Sequence, residues 1–451
     1  MTTSVVSGSD EKSIIAQINN SYKADAIEVR FDLIDKFEID EIKSFLDLFD
    51  KKVIFTFKKN NFYFDKLFDF LKLNPTFIDL EYDTDKKIID KINQNYPNIK
   101  IILSYHNFKK TPNLDLILSK IQKKRASFYK IACKANNIND AFKMLFFLKK
   151  NNKDNNIIGI SISKEYSFQR LISKIFNSPI TYCYIEKQTA LGQFLLDDFL
   201  GIYDFKKVNQ NTKIFALLAN PINKSISHIY HNKRFQKENK NAIYVKIFLK
   251  ENELQYFFEN IKNFPFKGLS ISMPFKEEAL KFIDEDLSKV NSINTIDIKD
   301  NKLIGYNTDA IACISLIEKR IDLEKKTVVI LGSGGTAKAI ANFIKTKKVN
   351  LIILNRTKSK AKEIANSLNC KYGSLEDIKF YQDYDIIINA TSCSMKNIMP
   401  INKKYLISNK IAFDVVYNPK DTIFLQEAKK NTMKIINGLE FFKKQASLQF
   451  N

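Results

Sequence analysis

The run Thr327-Val-Val-Ile-Leu-Gly-Ser-Gly-Gly-Thr-Ala-Lys-Ala339 decides how the last third of the chain folds. An apolar stretch opens into Gly332, Gly334 and Gly335, three of only eleven glycines in 451 residues, and then into helix-forming residues. Glycines clustered at a strand-to-helix turn let backbone N–H groups approach a pyrophosphate at the helix N-terminus. The spacing predicts a nucleotide turn in which Gly332, Gly334, Gly335, Thr336 and Ala337 meet a cofactor. The next expected strand, Val349–Leu354, ends in Asn355, Arg356 and Thr357. An acidic residue at that place would accept a ribose 2′-hydroxyl, whereas a guanidinium suits a 2′-phosphate. The expected cofactor is NADP, used as NADPH.

Working outward, 45% apolar residues with 37 Phe supply several cores, so the chain is globular. Its 72 basic and 50 acidic residues give a net charge of +22, which on its own would point to nucleic acid or an anionic membrane. Only six of the basic residues are Arg, and Lys is spread along the chain beside abundant Asn and Ile, with no basic tail. This is compositional drift, and no dedicated nucleic-acid partner is expected. Five cysteines without paired spacing argue against a disulfide framework or a zinc site. The N-terminus has no signal-like pattern and no apolar run reaches membrane-spanning length, so a cytoplasmic protein without membrane attachment is expected.

Before residue 205, short apolar runs recur around Val5 and at 26–30, 53–57, 77–80, 101–105, 128–132, 157–162 and 180–184. Eight such strands with amphipathic stretches between them predict an α/β fold of the (β/α)8 TIM-barrel type. The unpatterned stretch 206–213 marks the expected boundary. The domains expected are a barrel over 1–208, a substrate lobe over 209–310, a Rossmann-type NADP domain over 311–437, and a C-terminal helix, 438–451, returning to the substrate lobe.

A barrel places functional side chains at the C-terminal ends of its strands. Glu28 and Arg30, His106, Lys130, and Arg170 all occupy or follow such ends. A lone Lys within an apolar strand should lose its charge easily, leaving free amine to attack a ketone. The segments Glu28-Val-Arg-Phe-Asp32, Ser104-Tyr-His-Asn-Phe108, Tyr129-Lys-Ile-Ala132, Ser161 to Arg170 and Gln188-Thr-Ala-Leu-Gly-Gln193 resemble type I 3-dehydroquinate dehydratase. That resemblance implies an imine at Lys130 and proton transfer by His106, with Glu28 orienting the imidazole. It further implies Arg170 on the substrate carboxylate, and Arg30, Thr189 and Gln193 on hydroxyls or a closing loop. Lys58 stands where the family has Arg, which supplies a point charge in place of a planar fork. Phe62 leaves one expected polar contact unassigned.

The second half resembles shikimate dehydrogenase through Asn220-Pro-Ile-Asn-Lys-Ser-Ile-Ser227, Gly268-Leu-Ser-Ile-Ser-Met-Pro-Phe-Lys276, Gly305-Tyr-Asn-Thr-Asp309, Asn389-Ala-Thr-Ser392, Asp414 to Pro419 and Asn437 to Ala446. It implies Ser225 and Ser227 on the substrate carboxylate, and Ser272, Asn294, Tyr417 and Gln445 on the rest of the substrate. Lys276 and Asp309 become the catalytic pair, with the proton donor within it left open. Gly438 joins the cofactor contacts. His228 and His231 lack a third ligand and are read as structural, so no metal is expected. Together the two resemblances imply dehydration of 3-dehydroquinate to 3-dehydroshikimate and its NADPH-dependent reduction to shikimate. The alternatives are a barrel that has lost catalysis, and a quinate/shikimate dehydrogenase using NAD. Sequence leaves the oligomeric state undetermined.

Overall fold

The computed structural model describes residues 1–8, 11–34, 38–59 and 62–450, and the side chains of Phe62 and Tyr63 lie outside the described residues. The contact left unassigned at Phe62 therefore falls outside them. By internal contacts the chain divides into two compact units, Met1–Ile214 with Asn232–Pro265, and Phe215–His231 with Phe266–Asn451.

The first unit is built on strands β1 (Thr2–Gly8), β2 (Ala26–Ile34), β3 (Lys52–Phe57), β4 (Phe77–Glu81), β5 (Lys100–Asn107), β6 (Phe128–Lys134), β7 (Ile157–Ile162), β8 (Thr181–Tyr184) and the short β9 (Phe194–Leu195). Their lateral order is β7-β6-β5-β4-β3-β2-β1-β8-β9, with helices in the crossovers. All six residues of β7 are buried, as are five of six in β3, the continuous apolar pattern of a sheet covered on both faces. Asn137 caps the long helix Ile138–Asn151 by accepting from the Asp140 N–H at 2.9 Å. That helix buries Phe142 against Phe257 and Phe264, which belong to the segment Asn232–Pro265 that also carries β11 (Ala242–Phe248).

The sheet curls until its ends share one core. Val5, Ile54, Ile102, Ile158, Ile160 and Tyr182, from opposite ends of the strand order, form a single buried cluster. The barrel expected from eight strands differs in one respect: among the described residues no hydrogen-bonded ladder joins β7 to β8. The reason is local. One edge of β8 pairs with β1, and the other is taken by β9 through Cys183 opposite Phe194 and Tyr184 opposite Leu195. Ile158 and Ile160 of β7 share the buried cluster with Tyr182 of β8.

In the second unit, β10 (Lys213–Ala219), β12 (Phe266–Ile271), β14 (Thr295–Lys299), β15 (Lys302–Tyr306) and β13 (Glu285–Asp286) lie side by side in that order. The hairpin β14–β15 turns through Asp300 and Asn301 at φ 49° and 62°, left-handed values that Asp and Asn tolerate and a two-residue turn requires. The cofactor domain follows, with β16 (Thr327–Leu331), β17 (Asn350–Leu354), β18 (Lys371–Gly373), β19 (Ile386–Asn389), β20 (Ile411–Asp414) and β21 (Lys434–Ile436). The order β18-β17-β16-β19-β20-β21, parallel throughout, is the doubly wound arrangement. Strand alternation sorts its two cores. Val328, Ile330, Leu351 and Ile353 pack on one face, and Val329, Leu331, Ile352 and Leu354 on the other. The order reverses beside β16, so a ligand crevice belongs at the C-terminal end of that strand. Among the described residues no helix is long and apolar enough to cross a membrane.

Candidate active sites

Alternation along the barrel strands points Asp79 and Glu81 of β4, Ser104 and His106 of β5, and Lys130 of β6 toward one polar cluster. Lys130 is 6% exposed. Its Nζ is paired with Asp79, lies 3.7 Å from Glu28 Oε1, and sits 4.6 Å from the Tyr182 ring centroid. Asp79 also accepts from the Ser104 hydroxyl, and Glu28 from the Thr56 hydroxyl at 2.8 Å. Burial works against the Lys130 charge, but Asp79, Tyr182 and Glu28 outweigh it, so its pKa is raised. The expectation of a lowered value is overturned, because the strand is apolar only on paper: two buried carboxylates from β4 and β2 face the amine. Asp79, whose burial alone would raise it, is held below the usual carboxylate range by Lys130 and Lys58. The pair is ionic at rest.

His106 shows a second correction. Its Nδ1 lies 3.2 Å from Glu81 Oε1 and 3.3 Å from Lys58 Nζ, while Glu28 is engaged by Thr56 and Lys130. Glu81, absent from the sequence reading, is the carboxylate in contact with the imidazole. Burial first, then Lys130 and Lys58, push the His106 pKa well below its ordinary value, so the ring is neutral. Lys58 also pairs with Glu81, and burial lowers its own pKa to about 8.

Arg170 is 3% exposed, and its Nη2 donates to the Leu191 carbonyl at 3.1 Å. Its Nε has no partner among the described residues, and burial lowers its pKa to about 10. A guanidinium buried without a carboxylate is a socket for an anion. Arg30, by contrast, has its fork on Asp32 at 2.7 and 2.6 Å. Gln193 Oε1 accepts from Thr189 N, Thr189 Oγ1 and Ala190 N at 2.9, 3.1 and 3.0 Å, which shapes the loop carrying Leu191. Lys58, His106, Lys130, Arg170, Thr189 and Gln193 line one cavity.

The second unit gathers its polar groups in a groove beside β16. Lys276 Nζ is paired with Asp309 and lies 2.8 Å from Thr336 Oγ1, which itself donates to Asp309 at 3.1 Å. Asn294 donates through Nδ2 to Asp309 Oδ1 at 2.7 Å, Thr308 Oγ1 at 2.9 Å and Gln445 Oε1 at 3.2 Å. Asn307 caps the helix Thr308–Glu318, fixing Asp309 in its first turn. Ser225 and Ser227 hydroxyls are 3.0 Å apart, and with Ser272 and Tyr417 they line the same groove. Burial raises the Tyr417 hydroxyl pKa despite the neighbouring Ser225.

The cofactor turn divides by role. Gly332 has φ 117°, and a Cβ there would stand 2.9 Å from the Ala390 carbonyl. Gly334, the N-cap of the helix Gly335–Lys345, is exposed with open space around it. At Gly335 a Cβ would stand 2.8 Å from Ser292 Oγ and 3.1 Å from Lys276 Cβ, so the missing side chain lets the helix approach Lys276. Thr336, expected only at the cofactor, is bonded to both Lys276 and Asp309. Ala337 is buried in the Rossmann core. Asn355 Nδ2 donates to the Thr357 carbonyl, and Arg356 and Thr357 are exposed at the end of β17. Gly438 is not among the groove-lining residues. It starts the helix Gly438–Phe450, where a Cβ would collide with the Val416 carbonyl, and so sets how closely that helix approaches. Asp414, unassigned from sequence, accepts from Ser394 Oγ at 2.7 Å, Thr422 Oγ1 at 2.8 Å and Asn389 Nδ2 at 3.1 Å, tying the loop after β19 to β20. His231 stacks on Phe450, and among the described residues no group of three His, Cys, Asp or Glu could hold a metal.

Fold and sites define two enzyme classes in one chain, a lysine-centred lyase barrel and a nucleotide-dependent dehydrogenase. Residues 3–210 match the type I 3-dehydroquinase family, 217–296 the shikimate dehydrogenase substrate binding domain, and 315–419 the shikimate/quinate 5-dehydrogenase family. The bifunctional 3-dehydroquinate dehydratase/shikimate dehydrogenase of Arabidopsis thaliana is 31% identical over 95% of this chain and 77% of its own length. The shikimate biosynthesis protein AroDE of Chlamydia pneumoniae is 30% identical over 100% and 94%. A shikimate dehydrogenase crystallised with NADP+ is 35% identical, with a TM-score of 0.51, over 54% of this chain and 90% of that one. The chain belongs to the bifunctional 3-dehydroquinate dehydratase/shikimate dehydrogenase family.

Proposed function

We propose that residues 1–208 dehydrate 3-dehydroquinate at Lys130 and that 209–451 reduce the resulting 3-dehydroshikimate to shikimate at Lys276 and Asp309. The observation that carries this reading is the pairing, in separate units, of a buried amine beside a neutral imidazole with a Lys–Asp pair at a nucleotide turn. In the barrel, Arg170 takes the substrate carboxylate. Attack on the ketone needs free amine, and the Asp79 carboxylate bonded to Nζ is the proton acceptor in contact. Amine addition and loss of water give an imine whose protonated nitrogen accepts the electrons released when a proton leaves the adjacent carbon. His106, neutral and oriented by Glu81, takes that proton and returns it to the departing hydroxyl. Water leaves, and hydrolysis of the imine restores Lys130.

In the second unit Ser225 and Ser227 donate to the substrate carboxylate, and Ser272, Asn294 and Gln445 hold the ring oxygens. Lys276 faces the charge that develops on the ketone oxygen, and the Lys276/Asp309 pair supplies its proton. The turn fits NADPH: open space at Gly334 leaves room for the pyrophosphate, and Arg356, exposed at the end of β17, would meet the 2′-phosphate. When bound, the cofactor supplies the reducing equivalents.

Addition of 3-dehydroquinate alone should generate the ultraviolet absorbance of a conjugated enone, and later addition of NADPH should lead to its oxidation. Absence of the enone signal defeats the barrel assignment, and no oxidation with supplied 3-dehydroshikimate defeats the other. Arg356→Ala should raise KM for NADPH about tenfold, the worth of one exposed charge-assisted contact, and leave KM for NADH unchanged. Equal weakening of both cofactors would reject the phosphate clamp.

A further inference from the structure

Three polar atoms from three barrel strands meet beside the imidazole: Lys58 Nζ from the end of β3, Glu81 Oε1 of β4 and His106 Nδ1 of β5. Nδ1 is 3.2 Å from the carboxylate oxygen and 3.3 Å from the amine, and the amine is itself paired with that oxygen. Because the ring is neutral, it carries one proton on either Nδ1 or Nε2, and these neighbours compete over which. A carboxylate favours Nδ1–H. An ammonium favours a lone pair at Nδ1, to which it can donate, and it also neutralises the carboxylate that pulls the other way.

We propose that Lys58 is a positioning residue that sets the tautomer of His106. Charged, it donates to Nδ1 and leaves the ring proton on Nε2. Neutral, it releases Nδ1–H to Glu81 and gives Nε2 the lone pair that a base requires. The remaining charges around this contact are Asp79 of β4, Lys130 of β6, and Glu28, Arg30 and Asp32 of β2. Asp79 with Lys130 and Arg30 with Asp32 face one another, whereas Lys58, though paired with Glu81, is the cation in contact with Nδ1, so its ionisation changes what Nδ1 meets. Burial brings that ionisation to about 8, within reach of a working pH range. An arginine at this place would stay charged throughout.

The inference rests on the dehydratase reading for its consequence, but its test does not. The chain has three histidines, so imidazole nitrogen-15 spectra of the unliganded full-length protein can be assigned residue by residue. Between about pH 6.5 and about pH 9.5, His106 should pass from the Nε2–H to the Nδ1–H form in the wild type. Lys58→Arg, which keeps the charge and hence the Glu81 pairing, should hold Nε2–H across the range, and Lys58→Met should show Nδ1–H across it. The kcat of dehydration should rise through about pH 8 in the wild type, and this limb should vanish in Lys58→Arg. A tautomer that is independent of pH in the wild type, or that titrates alike in Lys58→Arg, overturns the proposal. Borohydride trapping during turnover separates the two readings: a missing adduct on Lys130 counts against the dehydratase mechanism, whatever the spectra show.

Discussion

Replacing Lys130 with Met is expected to abolish dehydration, on the order of 10⁴-fold or more, while 3-dehydroshikimate added directly is still reduced. The loss is chemical, since among the described residues no other amine pairs with the Asp79 and Glu28 carboxylates that flank Nζ. Borohydride should then leave no substrate-sized mass on the chain. A structural penalty accompanies it. Asp79 is 1% exposed and Glu28 is 3% exposed, so removing the cation strands one or two buried carboxylates, at a cost of about 3 to 5 kcal/mol to the first unit. The double substitution Lys130→Met/Asp79→Asn should recover much of that stability, because the neutral amide can still accept from Ser104, yet recover none of the activity. A double variant as inactive as the single but with the wild-type melting profile separates the nucleophile from the ion pair. Residual turnover near the wild-type rate in either protein would exclude the imine.

The strands were legible because a parallel sheet covered on both faces writes itself as short apolar runs, and each of the eight expected runs in the barrel became a strand. The nucleotide turn was equally plain, since few residues other than Gly fit a φ of 117° against the Ala390 carbonyl. What sequence did not disclose was which carboxylate met which base. Glu28 lies in a motif beside Arg30 whose resemblance implies a partner for His106, yet its carboxylate accepts from Thr56 of β3 and lies beside Lys130 of β6. Asp79 and Glu81 stood two apart in the apolar run Phe77-Ile-Asp-Leu-Glu81, a spacing that puts both on the inward face. Two acids on one face of a buried strand are costly without cations, and that signal would have found both. The charge state of Lys130 failed for the same reason: its decisive neighbour lies 51 residues away. The open ladder at β8 depends on β9, a two-residue strand too short to carry a pattern.

In the second unit, Lys276→Met and Asp309→Asn are each expected to lower the kcat of ketone reduction by about 10²- to 10⁴-fold, the range for a positioned proton donor. KM for NADPH should stay nearly constant, because the pyrophosphate turn and Arg356 are untouched. Fed 3-dehydroquinate, both variants should convert it at the wild-type rate and stop at 3-dehydroshikimate, whose enone absorbance persists in the presence of NADPH. Stability should fall less than for Lys130→Met. Without Lys276, Asp309 still accepts from Asn294 and Thr336, and without the carboxylate, Lys276 still bonds Thr336 and is less deeply buried. The decisive measurement is the double variant. If the two groups act as one proton-delivering unit, removing both should cost no more than removing either, whereas independent contributions would multiply to about 10⁴-fold or beyond. A multiplied loss would mean that the two groups act independently in the transition state and not as one proton-delivering unit. A single variant that raised KM and left kcat unchanged would instead mark its residue as serving binding alone.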